Sequence, residues 1–282
     1  MSRTYSATGN RYSLSGLPTA IGGASSATLF AGWFLPTTLT AGRGYWSAGT
    51  IIGLEVGATT SEVVGRIQSA TNGVYTSSGA GIAVNNWYFI AHYIDATNTG
   101  PNSTQKLWIG SIGSPPKGVA FTQTTAPIGA FTSSTIVVFG NKGNAGNVAW
   151  QGDVGNCFFA TQLTNTGGPF NLSAYGPTGK SADQIATESA GLLNNFIIPW
   201  WSGETFPQRG RDYAFSGTTP NLFTMHAFLA DFDGAVTQTT ALGFQSGVGT
   251  SVLTPTNSGT AVSRNRTPRG GVGSSLPFVI RN

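Results

Sequence analysis

The stretch that decides the fold is Asn86-Trp87-Tyr88-Phe89-Ile90-Ala91-His92-Tyr93-Ile94-Asp95. Successive side chains of a β-strand point to opposite sides, so one face carries Trp87, Phe89, Ala91 and Tyr93, and the other carries Tyr88, Ile90, His92 and Ile94. Both faces are apolar enough to be covered by protein. The pattern therefore predicts a strand in the middle of a sheet and not at its edge.

Further short apolar runs recur on both sides of this stretch, separated by Gly, Ser, Thr, Asn and Pro. They lie at residues 10–16, 27–35, 45–48, 51–56, 63–67, 81–84, 105–110, 118–122, 135–140, 148–159 and 221–230. Short strands at roughly ten-residue spacing, with no helical period between them, are typical of an antiparallel sandwich or barrel. One helix is predicted over residues 182–193, because Ser181 is a good N-cap and Gln184 completes a capping box.

The composition indicates a folded protein with a nearly uncharged surface. Of 282 residues, 39% are hydrophobic, which is enough to fill a core, while only 9% are charged and 40 are glycine. Such a surface is typical of secreted or virion β proteins.

The charge distribution argues against a nucleic-acid partner. The net charge is +4, from 14 basic and 10 acidic residues. Binding to nucleic acid needs a stripe of cations that neutralises phosphates, and Arg264, Arg266 and Arg269 are too few to form one. We expect no nucleic acid among the partners.

The single cysteine and the N-terminus bear on compartment. Cys157 cannot form an intramolecular disulfide, and its apolar neighbours predict that it packs as a small hydrophobe. The N-terminal residues lack an apolar signal region, so we expect no export by a standard secretory signal. No segment approaches the ~20 apolar residues of a membrane span, so no membrane partner is expected.

The order of the strand motifs carries a resemblance. The motifs are Thr28 to Pro36 with its Trp and terminal Pro, Asn86 to Ala91, Lys106 to Gly110, and Phe139 to Asn141 followed by Gly152 to Val154. Over about residues 4 to 193 the chain resembles the laminin-G-like, concanavalin-A-like jelly-roll superfamily, which includes lectins and glucanases. The resemblance implies an all-β, antiparallel two-sheet jelly-roll sandwich, with one short helix where residues 182–186 lie.

These patterns divide the chain into three parts. Residues 1–194 are predicted to form the jelly-roll domain. Residues 195–233 form an aromatic, irregular segment with one or two added strands. Residues 234–282, rich in Gly, Ser, Thr and Pro, are predicted to be a polar C-terminal arm that becomes ordered on a partner.

Enzymatic chemistry finds little support in the sequence. A glycanase needs two carboxylates about 5–10 Å apart across the scissile bond. Asp231 and Asp233 would share a strand face, but the Glu-x-Asp-x-x-Glu pattern of retaining glucanases is absent. His92 lies in the middle of a strand, where a histidine is more often part of the scaffold than a base. We therefore expect a protein without catalytic residues.

Metal binding is likewise not indicated by a motif. The two histidines, His92 and His226, lie in separate predicted strands, and no cysteine and histidine cluster occurs. No cofactor is expected. Calcium remains an open alternative, with Asp153 or Asp95 and backbone carbonyls as ligands.

Two adjacent aromatic pairs are the candidates for stacking on sugars. Aromatic faces suit the apolar faces of sugar rings, which singles out Tyr45 with Trp46 and Trp200 with Trp201. Packing in the core or at an interface is the alternative for each pair, and it is favoured because large rings dominate both environments.

The sequence favours the first of three functions. The first is a structural virion protein of a bacteriophage, made in the host cytoplasm as a capsid decoration, cement or head-fibre protein. Such a protein would be anchored to capsid or other virion proteins through residues 234–282, as a homo-oligomer. The second is a carbohydrate-binding, lectin-like module of a tail or surface protein that binds a cell-surface glycan. The third, least favoured, is a glycanase.

Overall fold

The computed structural model describes part of the chain. The described residues are 2–5, 11–14, 21–22, 27–49, 52–59, 61–67, 73–77, 79–95, 104–125, 133–142, 148–164, 197, 224–230, 243–246, 256–258 and 262–264. Within them the chain forms two large antiparallel sheets, which confirms the predicted all-β, two-sheet jelly-roll sandwich. The predicted helix at 182–193 lies outside the described residues.

The strands are short and follow one another closely. They are β1 (Ser2–Tyr5), β2 (Arg11–Leu14), β3 (Ile21–Gly22), β4 (Ala27–Pro36), β5 (Gly44–Ala48), β6 (Ile52–Val56), β7 (Val63–Ile67), β8 (Gly73–Ser77), β9 (Tyr88–Asp95), β10 (Thr104–Ser111), β11 (Ser114–Val119), β12 (Phe121–Thr125), β13 (Ser133–Ser134), β14 (Val137–Phe139), β15 (Gly152–Thr164), β16 (Thr224–Ala230), β17 (Gly243–Ser246), β18 (Thr256–Ser258) and β19 (Val262–Arg264).

The chain passes repeatedly between the two sheets. Sheet A has the order β11-β10-β9-β4-β15-β1-β19, and β16 and β17 extend it beside β15. Sheet B has the order β12-β8-β7-β6-β5-β14-β2-β18, and β3 pairs with β13 in a separate two-stranded sheet. Neighbours in both large sheets are antiparallel, which lets consecutive strands pair through short connections.

The strand β9 is central, as its sequence predicts. It lies between β4 and β10, with His92 opposite Phe30 on one side and opposite Leu107 on the other. Ile90 and Ile94 are buried in the core between the sheets, at 0% and 1% exposed. A central strand covered on its inner face in this way fixes the register of sheet A, because a slip by one residue would exchange its faces.

The opposite face of sheet A is also apolar and buried. Leu29, Trp33, Phe89, Tyr93 and Trp108 are each at most 5% exposed. The rings of Trp33 and Phe89, on neighbouring strands, meet edge to face with centroids 5.4 Å apart. Such cross-strand aromatic pairs stabilise a sheet beyond the area that they bury.

Aromatic rings join the two sheets in the core. Phe30 on β4 stacks on Trp46 of β5 with ring centroids 5.2 Å apart, and Phe34 meets Tyr45 edge to face at 5.1 Å. Trp150 packs against both Phe34 and Tyr45, at 5.5 Å and 4.6 Å. Because each large ring buries on the order of 150–250 Å², this cluster is a main source of cohesion between the sheets.

Parts of the C-terminal region are strands of the sandwich. The strand predicted at 221–230 is confirmed as β16, which pairs with β15. Inside the predicted 234–282 arm, β17 pairs with β16, β18 with β2, and β19 with β1. Those three segments are therefore paired strands of the two sheets. The division of the chain at residues 194 and 233 stays a prediction.

Candidate functional site

The structure contradicts the prediction that Tyr45 and Trp46 stack on sugars. Both side chains are buried in the core, at 1% and 0% exposed, so their faces are covered by protein. A β-bulge lies between Gly44 and Trp46 in the pairing with β6. A bulge breaks the strict alternation of faces, which explains why two consecutive rings point inward. Burial also raises the pKa of the Tyr45 hydroxyl far above its usual value. Trp200 and Trp201 lie outside the described residues.

The best-formed surface site is the loop before β9, residues 79–87, which we call the rim loop. Three hydrogen bonds hold it: from Ala80 N–H to Ser61 O at 3.0 Å, from Ala83 N–H to the Tyr88 hydroxyl at 3.0 Å, and from Asn85 N–H to Pro36 O at 2.7 Å. Ser61 precedes β7 of sheet B and Pro36 ends β4 of sheet A. The loop therefore spans one end of the sandwich and is fixed to both sheets.

The rim loop is anchored from inside as well. Ala80 and Ile82 are buried and belong to the core between the sheets. Asn85 has a φ of +62°, a left-handed conformation that asparagine tolerates better than most residues. The predicted strand at 81–84 is thus wrong. Ile82 fills the end of the core from a loop and not from a sheet, whereas Ala83 and Val84 are exposed.

The outer side of the rim loop exposes groups suited to ligand binding. Val84 is 42% exposed, Asn85 and Asn86 are exposed, and Trp87 is half-buried. Asn86 Nδ2 donates to Val84 O at 3.1 Å, which orients its carboxamide. Among the described tryptophans, Trp33, Trp46, Trp108 and Trp150 are at most 4% exposed, so Trp87 is the least buried of them.

An exposed apolar side chain lies at the same end of sheet A. Ser111 of β10 is opposite Tyr88 at the start of β9, so the turn between β10 and β11 projects beyond the same edge. Ile112 in that turn is 58% exposed. Ile112 is therefore exposed apolar surface at the same end of sheet A, outside the rim loop.

A second polar cluster lies on sheet B. Glu55 of β6 bonds Arg66 Nε through Oε1 and Lys142 Nζ through Oε2, each at 2.5 Å. The Glu55 side chain is 6% exposed, whereas the Arg66 and Lys142 side chains are 42% and 43% exposed. The two cations neutralise the charge of the Glu55 carboxylate, which is nearly buried at the surface of sheet B.

His92 is part of the scaffold, as expected from its place in the strand. It is 0% exposed and lies between Trp46, whose indole N–H donates to Nδ1 at 3.2 Å, and Gln105, whose Oε1 is 2.8 Å from Nε2. Burial lowers the pKa of His92 to about 4, although the bond to Gln105 acts in the opposite direction. The imidazole is therefore neutral near neutral pH.

Two further predictions concern cysteine and metals. Cys157 is buried, as predicted for a small hydrophobe, and its burial raises the pKa of the thiol. In the described part of the chain, no group of three or more His, Cys, Asp or Glu side chains is placed to hold a metal ion. The calcium alternative at Asp153 or Asp95 stays a prediction.

No helix within the described ranges is long and apolar enough to cross a membrane.

Comparison with known proteins gives distant likenesses in structure. No protein-family model and no curated protein matches the sequence. A native heptameric SAP-like pentraxin from Limulus polyphemus is 10% identical, over 56% of this chain and 74% of that chain, with a TM-score of 0.33. A putative carbohydrate binding protein from Bacteroides ovatus ATCC 8483 is 14% identical, over 94% and 60%, with a TM-score of 0.48.

Domains LG4-5 of the mouse laminin alpha1 chain are 12% identical, over 56% of this chain and 41% of that chain, with a TM-score of 0.36. The chain thus spans three fifths or less of the length of the Bacteroides and laminin chains. At these identities and TM-scores, the likenesses transfer no ligand and no residue's role to this chain.

Proposed function

We propose that the chain is a carbohydrate-binding, lectin-like module that holds its ligand at the rim loop. The observation that carries the proposal is the half-buried Trp87, held beside two exposed amides on a loop that both sheets fix. The other described tryptophans are buried, so their rings are not accessible to a ligand.

The chemistry of the rim loop suits a neutral sugar. An indole face takes up the apolar face of a pyranose ring, while the carboxamides of Asn85 and Asn86 both donate and accept hydrogen bonds. Because the backbone of the loop is tied at Ala80, Ala83 and Asn85, little conformational entropy is lost on binding. Binding without turnover is proposed, since the site contains no pair of carboxylates.

A glycan array probed with the full chain tests the proposal. We expect binding to a limited set of glycans, and Trp87→Ala to weaken it about tenfold, because loss of a stacked ring costs about 1.5 kcal/mol. Ile112→Ala is the matched control, since it removes exposed apolar surface at the same end of sheet A. That control should bind like the wild type.

Equal binding by Trp87→Ala and the wild type would contradict the rim loop as the site. Failure of the full chain to bind any glycan would contradict the function itself. Circular dichroism and thermal unfolding of each variant show whether the sandwich is intact.

The virion role, with attachment through residues 234–282, remains a hypothesis from composition alone. No contact of the described residues favours it over glycan binding. Asp231 and Asp233, the candidate carboxylates of a glycanase, lie outside the described residues.

A further inference from the structure

The hydrogen-bond chain through His92 fixes the position of every proton along it. The indole nitrogen of Trp46 can only donate, so His92 Nδ1, 3.2 Å away, must accept. A neutral imidazole then carries its proton on Nε2, which donates to Gln105 Oε1 at 2.8 Å. The tautomer of His92 is therefore set by Trp46.

This tautomer also sets the orientation of the Gln105 carboxamide. If the amide were flipped, its NH₂ group would face the Nε2–H of His92, donor against donor. The oxygen must point to His92, and Nε2 of Gln105 must point away from it. Gln105 is 2% exposed, and its Nε2 atom is buried with no acceptor among the described residues.

The surroundings keep the carboxamide in this place. Gln105 belongs to β10 of sheet A, yet its Oε1 atom lies against Gly65 of β7 in sheet B, where a Cβ atom would come within 2.2 Å. The same Cβ position is 2.8 Å from the ring of Phe121. Because Gly65 has no Cβ atom, it leaves room for the Gln105 carboxamide at this position.

A second buried donor lies on β12 of sheet B. Gln123 Nε2 is buried and also has no acceptor among the described residues. Gln123 is opposite Tyr75, and Tyr75 is opposite Gly65, so all three lie on the face of sheet B that meets Gln105. One donor comes from β10 of sheet A and the other from β12 of sheet B.

We propose that this inter-sheet space is a hydration site, in which internal water accepts hydrogen bonds from Gln105 Nε2 and Gln123 Nε2. Buried amide N–H groups in native proteins are almost always paired, and water serves where protein acceptors do not reach. Water suits the site because the described groups that meet Gln105 and Phe121 are uncharged: the neutral imidazole of His92, the ring of Tyr75 and the backbone at Gly65. The site adds a link through solvent to the direct hydrogen bond between Trp46 of sheet B and His92 of sheet A.

Nuclear magnetic resonance on the ¹⁵N-labelled full chain tests the hydration site. The side-chain NH₂ resonances of Gln105 and Gln123 should show cross-relaxation with long-lived water, and exchange slowly with bulk solvent. Gln105→Met and Gln123→Met assign the two resonances by their loss. The exposed carboxamide of Asn86 is the reference, because it meets only short-lived surface water.

A crystal structure at high resolution gives an independent measurement. We expect density for water at about 2.7–3.2 Å from each Nε2 atom. Direct bonds from both Nε2 atoms to protein acceptors, with no water cross-relaxation, would overturn the proposal. Since the wild-type protein alone decides this result, a variant that fails to fold does not weaken the test.

Discussion

Trp46 and Trp87 are the same residue type in opposite environments. Trp46 is 0% exposed, stacks on Phe30 and donates to His92, so its ring holds the two sheets together. Trp87 is half-buried on the rim loop, which is fixed by backbone bonds and by Ile82 in the core. The difference shows that a tryptophan inside a strand packs in the core, whereas one in a loop at the end of a strand is a candidate for ligand binding.

The largest effect is expected from removing the interior ring. Trp46→Ala should lower the free energy of unfolding by about 3–5 kcal/mol, because it leaves a cavity between the sheets and frees His92 Nδ1 from its donor. Urea unfolding followed by circular dichroism measures this. A loss below about 1 kcal/mol would mean that the ring is not part of the core.

Acidification should weaken the same interior. The pKa of His92 in the folded chain is about 4, below its ordinary value of 6.5. Between these two pH values the unfolded chain binds a proton at His92 and the folded chain does not. The contribution of neutral His92 to the free energy of unfolding is therefore fully present above about pH 6.5. It is lost as the pH falls toward 4, by a total of roughly 3 kcal/mol. Urea midpoints across this range measure the change. His92→Gln should flatten the pH dependence in this window, and an unchanged slope would contradict the assignment to His92.

A smaller effect is expected from crowding the glutamine. Gly65→Ala should cost about 1–3 kcal/mol, because the new methyl group would lie 2.2 Å from Gln105 Oε1. Gly118→Ala is the matched control, since its Cβ would meet only Trp108 at 3.9 Å, an ordinary contact. Thermal unfolding compares the two. Equal losses of stability in the two variants would contradict close packing of Gln105 against Gly65.

The smallest stability effect is expected at the rim. Trp87→Ala should change the free energy of unfolding by about 1 kcal/mol or less, because the ring is only half-buried and the loop keeps its backbone bonds. Urea unfolding beside Trp46→Ala sharpens the contrast directly. A loss as large as that of Trp46→Ala would assign Trp87 to the core and remove the basis for a binding role.

The fold could be predicted because central strands carry their own signal. Residues 27–36 and 88–95 alternate apolar side chains on both faces, and both are buried strands of sheet A. The prediction failed for short segments in which a few residues carry no clear alternation. The predicted strand at 118–122 covers the end of β11 and the start of β12, because the chain leaves sheet A and enters sheet B across the single residue Ala120. The strand β8 was missed, since its Gly and Thr residues resemble a loop.

The candidate site was less predictable than the fold. Tyr45 and Trp46 looked like a platform because consecutive residues of a regular strand face opposite sides, and the bulge after Gly44 is not visible in the sequence. Trp87 was within the central stretch from the start, but its accessible ring depends on where the strand begins. The signal that could have located it is the polar pair Asn85-Asn86, which marks the end of the loop and the start of β9.

The pairing of β1 has a consequence for the order of folding. Ser2 is opposite Gly155 of β15 on one side and opposite Arg264 of β19 on the other. During synthesis β1 therefore leaves the ribosome long before β15 or β19 has been made. Its backbone donors and acceptors have no strand partner until then. Such long-range pairing makes folding slow. A ribosome stalled before residue 152 would therefore hold a nascent chain in which β1 lacks both β15 and β19.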